Sequence, residues 1–373
     1  MGYNEFFFFL GFLLFIFTML MLDLGLFNRK QHVISFKEAA AWSFVWVVCA
    51  LVFYTILLNY GHLIHGIDNF KELDKIVLEY LDDPEDVTLN PNDFEASLAS
   101  YRSNMAIEFI TGYLLEYSLS VDNIFVIILI FTSFGVREKY YKKVLMWGIL
   151  GAVVMRFIFI FVGSALIHNF HFILYIFGGF LIISGAKMFF DKEDEEIDTE
   201  KNPIVRFASR YFTVIPRYVN DKFFVRNRQG VFMITPLFLV VLIIEFTDLL
   251  FAVDSVPAVF AVTKDPYIVF FSNIFAIMGL RSMFFFLSNV MHIFHYLKTG
   301  LAFLLMFIGV KMIAYENVLK PIGFKSHYSL IVILGILAIS VIASLLFPPK
   351  KKVHGAATQA NDGTEATSVQ IEK

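Results

Sequence analysis

Cysteine is almost absent. Cys49 stands alone in 373 residues, which excludes an intrachain disulfide and any zinc or iron–sulfur site built from several thiolates. Charge is scarce as well: Asp, Glu, Lys and Arg make up 17% of the chain, against roughly 25% in average soluble proteins. That deficit argues against a water-soluble globule. The net charge of −3 leaves no basic surplus for nucleic acid. No HExxH, GxSxG or Walker pattern occurs, so no enzyme activity and no tightly bound cofactor are expected. What the chain has in excess is apolar surface, with 58% hydrophobic residues and 46 Phe.

The apolar residues gather in nine segments, about 6–26, 39–58, 105–134, 144–167, 170–189, 231–262, 267–287, 297–315 and 329–347. A stretch of about 20 apolar residues crosses a ~30 Å hydrocarbon core as one helix. The expected fold is therefore all-α: a polytopic membrane protein of about nine transmembrane helices. The opening run Phe6–Leu22 lacks a basic flank and a small-residue cleavage site, so it reads as a permanent span rather than a signal peptide. The third and sixth segments are too long for one upright helix and must tilt, project or break.

Lys and Arg set the expected orientation. Arg29, Lys30 and Lys37, then Arg137, Lys139, Lys142 and Lys143, then the bases of loop 190–230 and Lys350–Lys352 all fall on one side of a nine-span arrangement. That side is the cytoplasm, which puts the N-terminus outside and the C-terminus inside. The chain then divides into two spans (1–58), an acidic extracytoplasmic loop (59–104), a first three-span half (105–189), a cytoplasmic loop (190–230), a second half (231–315), a last span (316–348) and a polar tail (349–373) expected to be disordered. Phe70, Leu73, Val77, Tyr80 and Leu81 recur at helical spacing within the acidic loop, so part of it should be an amphipathic helix. That loop fits a cation-attracting vestibule or, more simply, a solvated face. Lys222–Thr235 has the pattern of a short hairpin. His62/His65 and His292/His295 are spaced to share a metal, but interfacial packing explains them more simply.

Ionisable side chains inside spans carry the functional signal, since each Asp at a helix centre costs about 2.5–3.5 kcal/mol to insert. The third segment holds Glu108, Glu116 and Asp122; the sixth holds Glu245, Asp248 and Asp254. Glu116-Tyr-Ser-Leu-Ser-Val-Asp122-Asn123 parallels Asp248-Leu-Leu-Phe-Ala-Val-Asp254-Ser255. An arginine follows each motif in the next span, Arg156 and Arg281, and then Gly185-Ala-Lys187-Met188 and Gly309-Val-Lys311-Met312. The copies lie three spans apart, so they enter the membrane from opposite sides, which is the inverted three-helix repeat of many secondary transporters.

Acids six residues apart diverge on a straight helix. Convergence of the motif residues therefore calls for a break, and Pro257 offers one in the sixth segment. Glu116, Asp122, Asn123, Glu245, Asp248, Asp254 and Ser255 would then form an all-oxygen site suited to a hard divalent cation such as Mn²⁺, Mg²⁺ or Ca²⁺. Arg156 and Arg281 would neutralise carboxylates, while Lys187 and Lys311 would snorkel at helix ends. Counting Asp23, seven acids face four bases, a surplus that a cation or protons must absorb. A scaffold whose charges only pair helices is the competing reading.

Several runs resemble the TerC family of integral membrane proteins, its Alx-type members included. They are Leu22-Asp23-Leu-Gly-Leu, Lys37-Glu-Ala-Ala-Ala-Trp-Ser43, Glu116–Asn123, Thr235-Pro-Leu-Phe-Leu, Glu245-Phe-Thr-Asp248, Phe251–Ala258, Ser272–Arg281 and Tyr296–Ala302. The resemblance implies a bacterial cytoplasmic membrane protein that exports manganese and serves metal homeostasis, with Mn²⁺ as cargo. It places the family's motif acids on Glu116, Asp122, Glu245, Asp248 and Asp254. A Ca²⁺/H⁺ exchanger of similar build and a stress-response partner remain alternatives.

Overall fold

The computed structural model describes residues 3–23, 35–81, 84–170, 172–190, 206, 210, 212–215, 218–219, 221–226, 232–290, 296–322, 324 and 326–347. His292, His295 and the tail lie outside them, as does the turn of the expected hairpin. Helices α1 (Tyr3–Asp23) and α2 (Phe36–Tyr60) come first. They are followed by α3 (Phe70–Tyr80), α4 (Phe94–Ser133), α5 (Glu138–Asn169) and α6 (Phe172–Phe190). Then come α7 (Pro236–Phe260), α8 (Pro266–Met278), α9 (Leu280–Val290), α10 (Leu297–Ala314) and α11 (Ser326–Leu346).

The all-α polytopic fold is as expected. Among the described residues, seven helices are long and apolar enough to cross a membrane, and the pair α8–α9, bent by 45°, makes an eighth if it is one span. The apolar part of α1, Phe6–Met19, is shorter. The segment 267–287 is thus not the single helix that its hydropathy suggests, but two helices meeting at Gly279.

Local chemistry explains the helix starts. Side chains of Ser35, Asn69, Asp93 and Asp265 accept backbone N–H bonds at the heads of α2, α3, α4 and α8, the usual cure for orphaned N-terminal donors. Pro236 and Pro266 sit in the first turns of α7 and α8, where a missing N–H costs nothing. The forty residues of α4 span roughly 60 Å at 1.5 Å each. The helix absorbs its excess length by projecting beyond the apolar region into the end of the acidic loop.

The break expected at Pro257 does not occur, for α7 runs through it to Phe260. The proline lies in the last turn, and its own carbonyl still accepts from Ala261 N at 3.0 Å. Only the bond to Val253 is lost, too near the helix end to bend it. Helix α4 is continuous as well.

Helices pair across the bundle: α6 lies along α10, α4 along α8, and α5 along α7. The α6–α10 contact is backbone-close. A Cβ at Gly309 would stand 2.6 Å from the Gly178 carbonyl, and one at Gly185 2.7 Å from that of Ala302. Small residues permit such approach between membrane helices. Outside the bundle, residues 61–81 and 84–86 form a cap in which α3 buries Leu73 and Val77, as its periodicity predicts. At the other end, β1 (Thr213–Val214), β2 (Phe224–Arg226) and β3 (Phe232–Ile234) form a sheet of order β1-β3-β2. The expected hairpin is β2–β3, antiparallel with Arg226 opposite Phe232; the parallel strand β1 carries no sequence signal.

Candidate functional site

Four helices meet at Arg156 of α5, which is wholly buried. Its Nη1 donates to Glu116 Oε1 of α4 and, at 2.7 Å, to Asn273 Oδ1 of α8. Its Nη2 reaches Asp248 Oδ1 of α7 at 3.4 Å. Glu116 is also fully buried, while the Asp248 side chain keeps 12% exposure. Asn273 is fixed in turn by donating to the Val269 carbonyl at 2.9 Å. The guanidinium fork suits this work because it presents several donors in one plane.

Each acid leaves an oxygen over. Glu116 Oε2, Asp248 Oδ2, Ser120 Oγ and Ser255 Oγ are buried without a hydrogen-bond partner among the described residues, as is Asn123 Nδ2. Such groups are costly unless another species satisfies them. Asn123, Thr247 and Asp248 also line a narrow cleft between α4, α5, α7 and the α8–α9 junction, otherwise apolar with Ile127, Ile149 and Phe251 in its wall.

The remaining candidates lie around this centre. Glu245 shares Coulombic contact with Asp248, and its carboxyl presses on Gly151 of α5, where a Cβ would collide with it. Asp254 accepts from Ser184 Oγ of α6 at 2.7 Å, with Lys187 in electrostatic range. Asp122 lies within the fields of Lys298 and Asp254. The acids therefore form an Arg156-centred group and a second group facing α6 and α10. Among the described residues, no three His, Cys, Asp or Glu side chains gather closely enough to hold a metal ion.

Arg156 is the carboxylate partner expected from its position. Arg281 is buried at the head of α9, just past the bend. Lys311 does not snorkel: it is buried, and its ammonium donates to the Ala261 carbonyl at the end of α7, 2.7 Å away. A helix C-terminus attracts cations, and that interaction replaces the expected reach to the interface. Lys187 is exposed. His65 follows the packing interpretation. It sits 2.8 Å from Asp265 Oδ2 and stacks on Tyr80.

Sequence reasoning missed Asn273, Ser184 and Lys298. None is charged and periodic with the motif acids, and only Asn273 had a signal, its place eight residues before Arg281 within an otherwise apolar run.

The model of the integral membrane protein TerC family matches residues 101–352. The chain is 42% identical over 352 residues, 94% of each chain, to the uncharacterized membrane protein STKORF319 of Myxococcus xanthus. It is 41% identical over 333 residues to the putative membrane-bound redox modulator Alx of Escherichia coli K12, covering 89% of this chain and 92% of that one. An uncharacterized membrane protein of Rickettsia bellii is 34% identical over 334 residues, 89% of this chain and 94% of the relative. No solved structure matches.

Proposed function

The chain belongs to the TerC family of integral membrane proteins, and from that premise we propose that it is a secondary transporter exporting divalent cations, Mn²⁺ first among them, in exchange for protons. The cation moves by alternating access from the cytoplasm, with the N-terminus outside and the C-terminus inside, across a bacterial cytoplasmic membrane. The observation that carries this reading is the Arg156 junction. It joins Glu116 and Asp248, the first acids of the two matching motifs, and leaves one oxygen of each buried and unpartnered. Carboxylate and hydroxyl oxygens are the donors that Mn²⁺, Mg²⁺ and Ca²⁺ prefer. A divalent ion entering through the cleft competes with the guanidinium for both carboxylates. Asp122, Glu245 and Asp254 supply further oxygens along its path, with Asn123 and Ser255 assisting.

Contacts between α6 and α10 support an inverted repeat. Adding 124 to α6 numbers aligns Gly185 with Gly309, Gly178 with Ala302, and Ile182 with Met306. The space at Gly185 is closed by Ala302 and Met306, and that at Gly309 by Gly178 and Ile182. Each contact is thus the other with the halves exchanged, as a two-fold axis requires. The broader pairing agrees: the first helix of each half lies along the second helix of the other, and third lies along third. Two halves related this way can exchange conformations, which is the basis of alternating access.

Purified protein in liposomes tests the reading. Wild type should move Mn²⁺ under an imposed pH gradient, and Asp122→Asn and Asp254→Asn should not, while both variants still insert and run as wild type on gel filtration. Wild-type flux no greater than that of empty liposomes would instead favour a charge-paired scaffold. The redox-modulator name of the E. coli relative meets a single thiol here, Cys49, which excludes an intrachain dithiol couple.

A further inference from the structure

The transport reading leaves the buried acid Glu108 unused. Glu108 lies on α4, two turns from Glu116 on the cap side, roughly 12 Å along the axis at 1.5 Å per residue. It is only 5% exposed. Its Oε1 accepts from Asn104 Nδ2 at 2.9 Å, and Asn104 is itself 7% exposed. A carboxyl so placed costs several kcal/mol unless its surroundings are polar, and ionisable residues at such depth commonly belong to ion or proton paths.

The surroundings are polar in both directions. Toward the cap, Tyr101 is buried on the same face of α4, seven residues before Glu108. It is close enough to Glu108, Asp265 and Tyr80 for their charges to act on it. Asp265 in turn bonds His65, with Tyr267 edge-on to the imidazole. Toward the centre, Gly112 stands one turn on from Glu108. Its missing side chain admits the Ser272 hydroxyl, 3.0 Å from where a Cβ would be. Ser272 neighbours Asn273, which holds Arg156 and so Glu116. Hydrogen-bonding side chains therefore line α4 from the cap to the charged centre: Tyr101, Asn104, Glu108, Ser272 and Asn273.

We infer that this lane is the path by which the counter-proton reaches the Arg156 centre from the cap side, with Glu108 as its carrier. The inference rests on the exchange reading above. The carboxyl takes a proton from the Tyr101–Asp265–His65 end. It passes the proton through the Ser272 hydroxyl, with water bridging the remaining gaps, toward the Arg156 centre once a cation has left. The titratable groups at the lane's outer end are Tyr101 of α4, Asp265 before α8, and His65 and Tyr80 of the cap. At its inner end they are Glu116, Arg156 and Asp248.

Two assays on reconstituted Glu108→Gln separate the steps. Glutamine keeps the shape and can still accept from Asn104, but it cannot carry a proton. Exchange of ⁵⁴Mn²⁺ for Mn²⁺ at equal pH on both sides needs no proton transfer and should stay within about twofold of wild type. Mn²⁺ flux driven by a pH gradient should fall at least tenfold, and Glu108→Asp should restore part of it. Equal pH-driven flux in wild type and Glu108→Gln would overturn the proposal and leave the transport reading standing. Loss of both activities in a well-folded Glu108→Gln would overturn it too, by showing that Glu108 serves the cation itself. Wild type that carries no Mn²⁺ at all would remove the transport reading first. Tyr101→Phe is the second probe: it should slow gradient-driven flux and spare exchange.

Discussion

Arg156→Met is the sharpest test of the junction. The guanidinium and Glu116 are both fully buried. Methionine roughly keeps the apolar volume of the arginine stem but leaves Glu116 and most of Asp248 without a counter-charge. Breaking one side of a buried pair costs about 3–5 kcal/mol, because the surviving charge is left uncompensated. Conversion at about 2 °C per kcal/mol, the low end for large domains, predicts an apparent melting temperature lower by roughly 6–10 °C. Temperature-ramped gel filtration in mild detergent reads this directly. Glu116→Gln alone should cost less, on the order of 1–3 kcal/mol, because Arg156 keeps Asn273 and Asp248. In the double variant Arg156→Met/Glu116→Gln the fully buried Glu116 charge is gone and only Asp248, 12% exposed, is left without its partner, so at least half of the single-variant loss should return. Such non-additivity marks direct contact. An Arg156→Met protein that melts within about 1 °C of wild type, or a double variant whose loss equals the sum of the singles, would refute the junction as drawn.

Two other predictions follow from neighbouring contacts. Gly151→Val places methyl groups where the Glu245 carboxyl now lies; overpacking of this kind costs about 1–3 kcal/mol, and Mn²⁺ flux should fall further than the melting temperature does, because an oxygen donor is displaced. Flux that tracks stability alone would count against Glu245 as a ligand. At the sheet end, the hydrogen bond from Lys143 holds the Asp221 carboxyl below its usual value. A lowered carboxyl pKa contributes stability that is present above the unfolded-state value of 3.8 and is lost as pH falls through the lowered folded value. Protection of residues 221–226 from hydrogen exchange, corrected for the intrinsic pH dependence of exchange, should therefore fall in wild type below about pH 4 but not in Asp221→Asn, which has no charge left to lose; identical acid responses would detach the sheet from this ion pair.

Fold class, helix α3 and the β2–β3 hairpin were legible because each has a local cause. Long apolar runs suit only a bilayer, Phe70–Leu81 keeps one helical period, and the Phe-Phe-Val and Val-Phe-Met-Ile runs flank a turn-prone Asn-Arg-Gln-Gly. The motif acids were legible because charge is rare in spans. The geometry that brings them together was not, since it lies between helices. The expectation of a break at Pro257 assumed that residues on one helix must turn to find one another. In the structure, Glu116 and Asp248 meet because Arg156 on a third helix holds both. The real bend, at Gly279, falls in a run of apolar residues with no proline. Hydropathy cannot see it, because a bent and a straight helix of the same residues are equally apolar.

The balance of charge also changes character once positions are known. Counted along the chain, four bases inside the spans stand against the acids as a common pool. In the structure the bases are divided by reach. Arg156 serves two acids at once, one from α4 and one from α7. Lys311 gives a hydrogen bond to the Ala261 carbonyl, a dipole end rather than an acid, and Lys187 lies exposed within the field of Asp254. Asp122, Glu245 and Asp254 therefore stand outside the arginine's fork, on the same helices, α4 and α7, that carry its carboxylate partners. A buried carboxylate stays charged only beside a cation or hydrogen-bond donors. On the transport reading, an ion in the cleft would meet Asp248 of the Arg156 pair, which lines it, while Asp122, Glu245 and Asp254 stand outside that fork. The costliest exchange of partners would then fall at the Arg156 pair, where α4, α5, α7 and α8 meet.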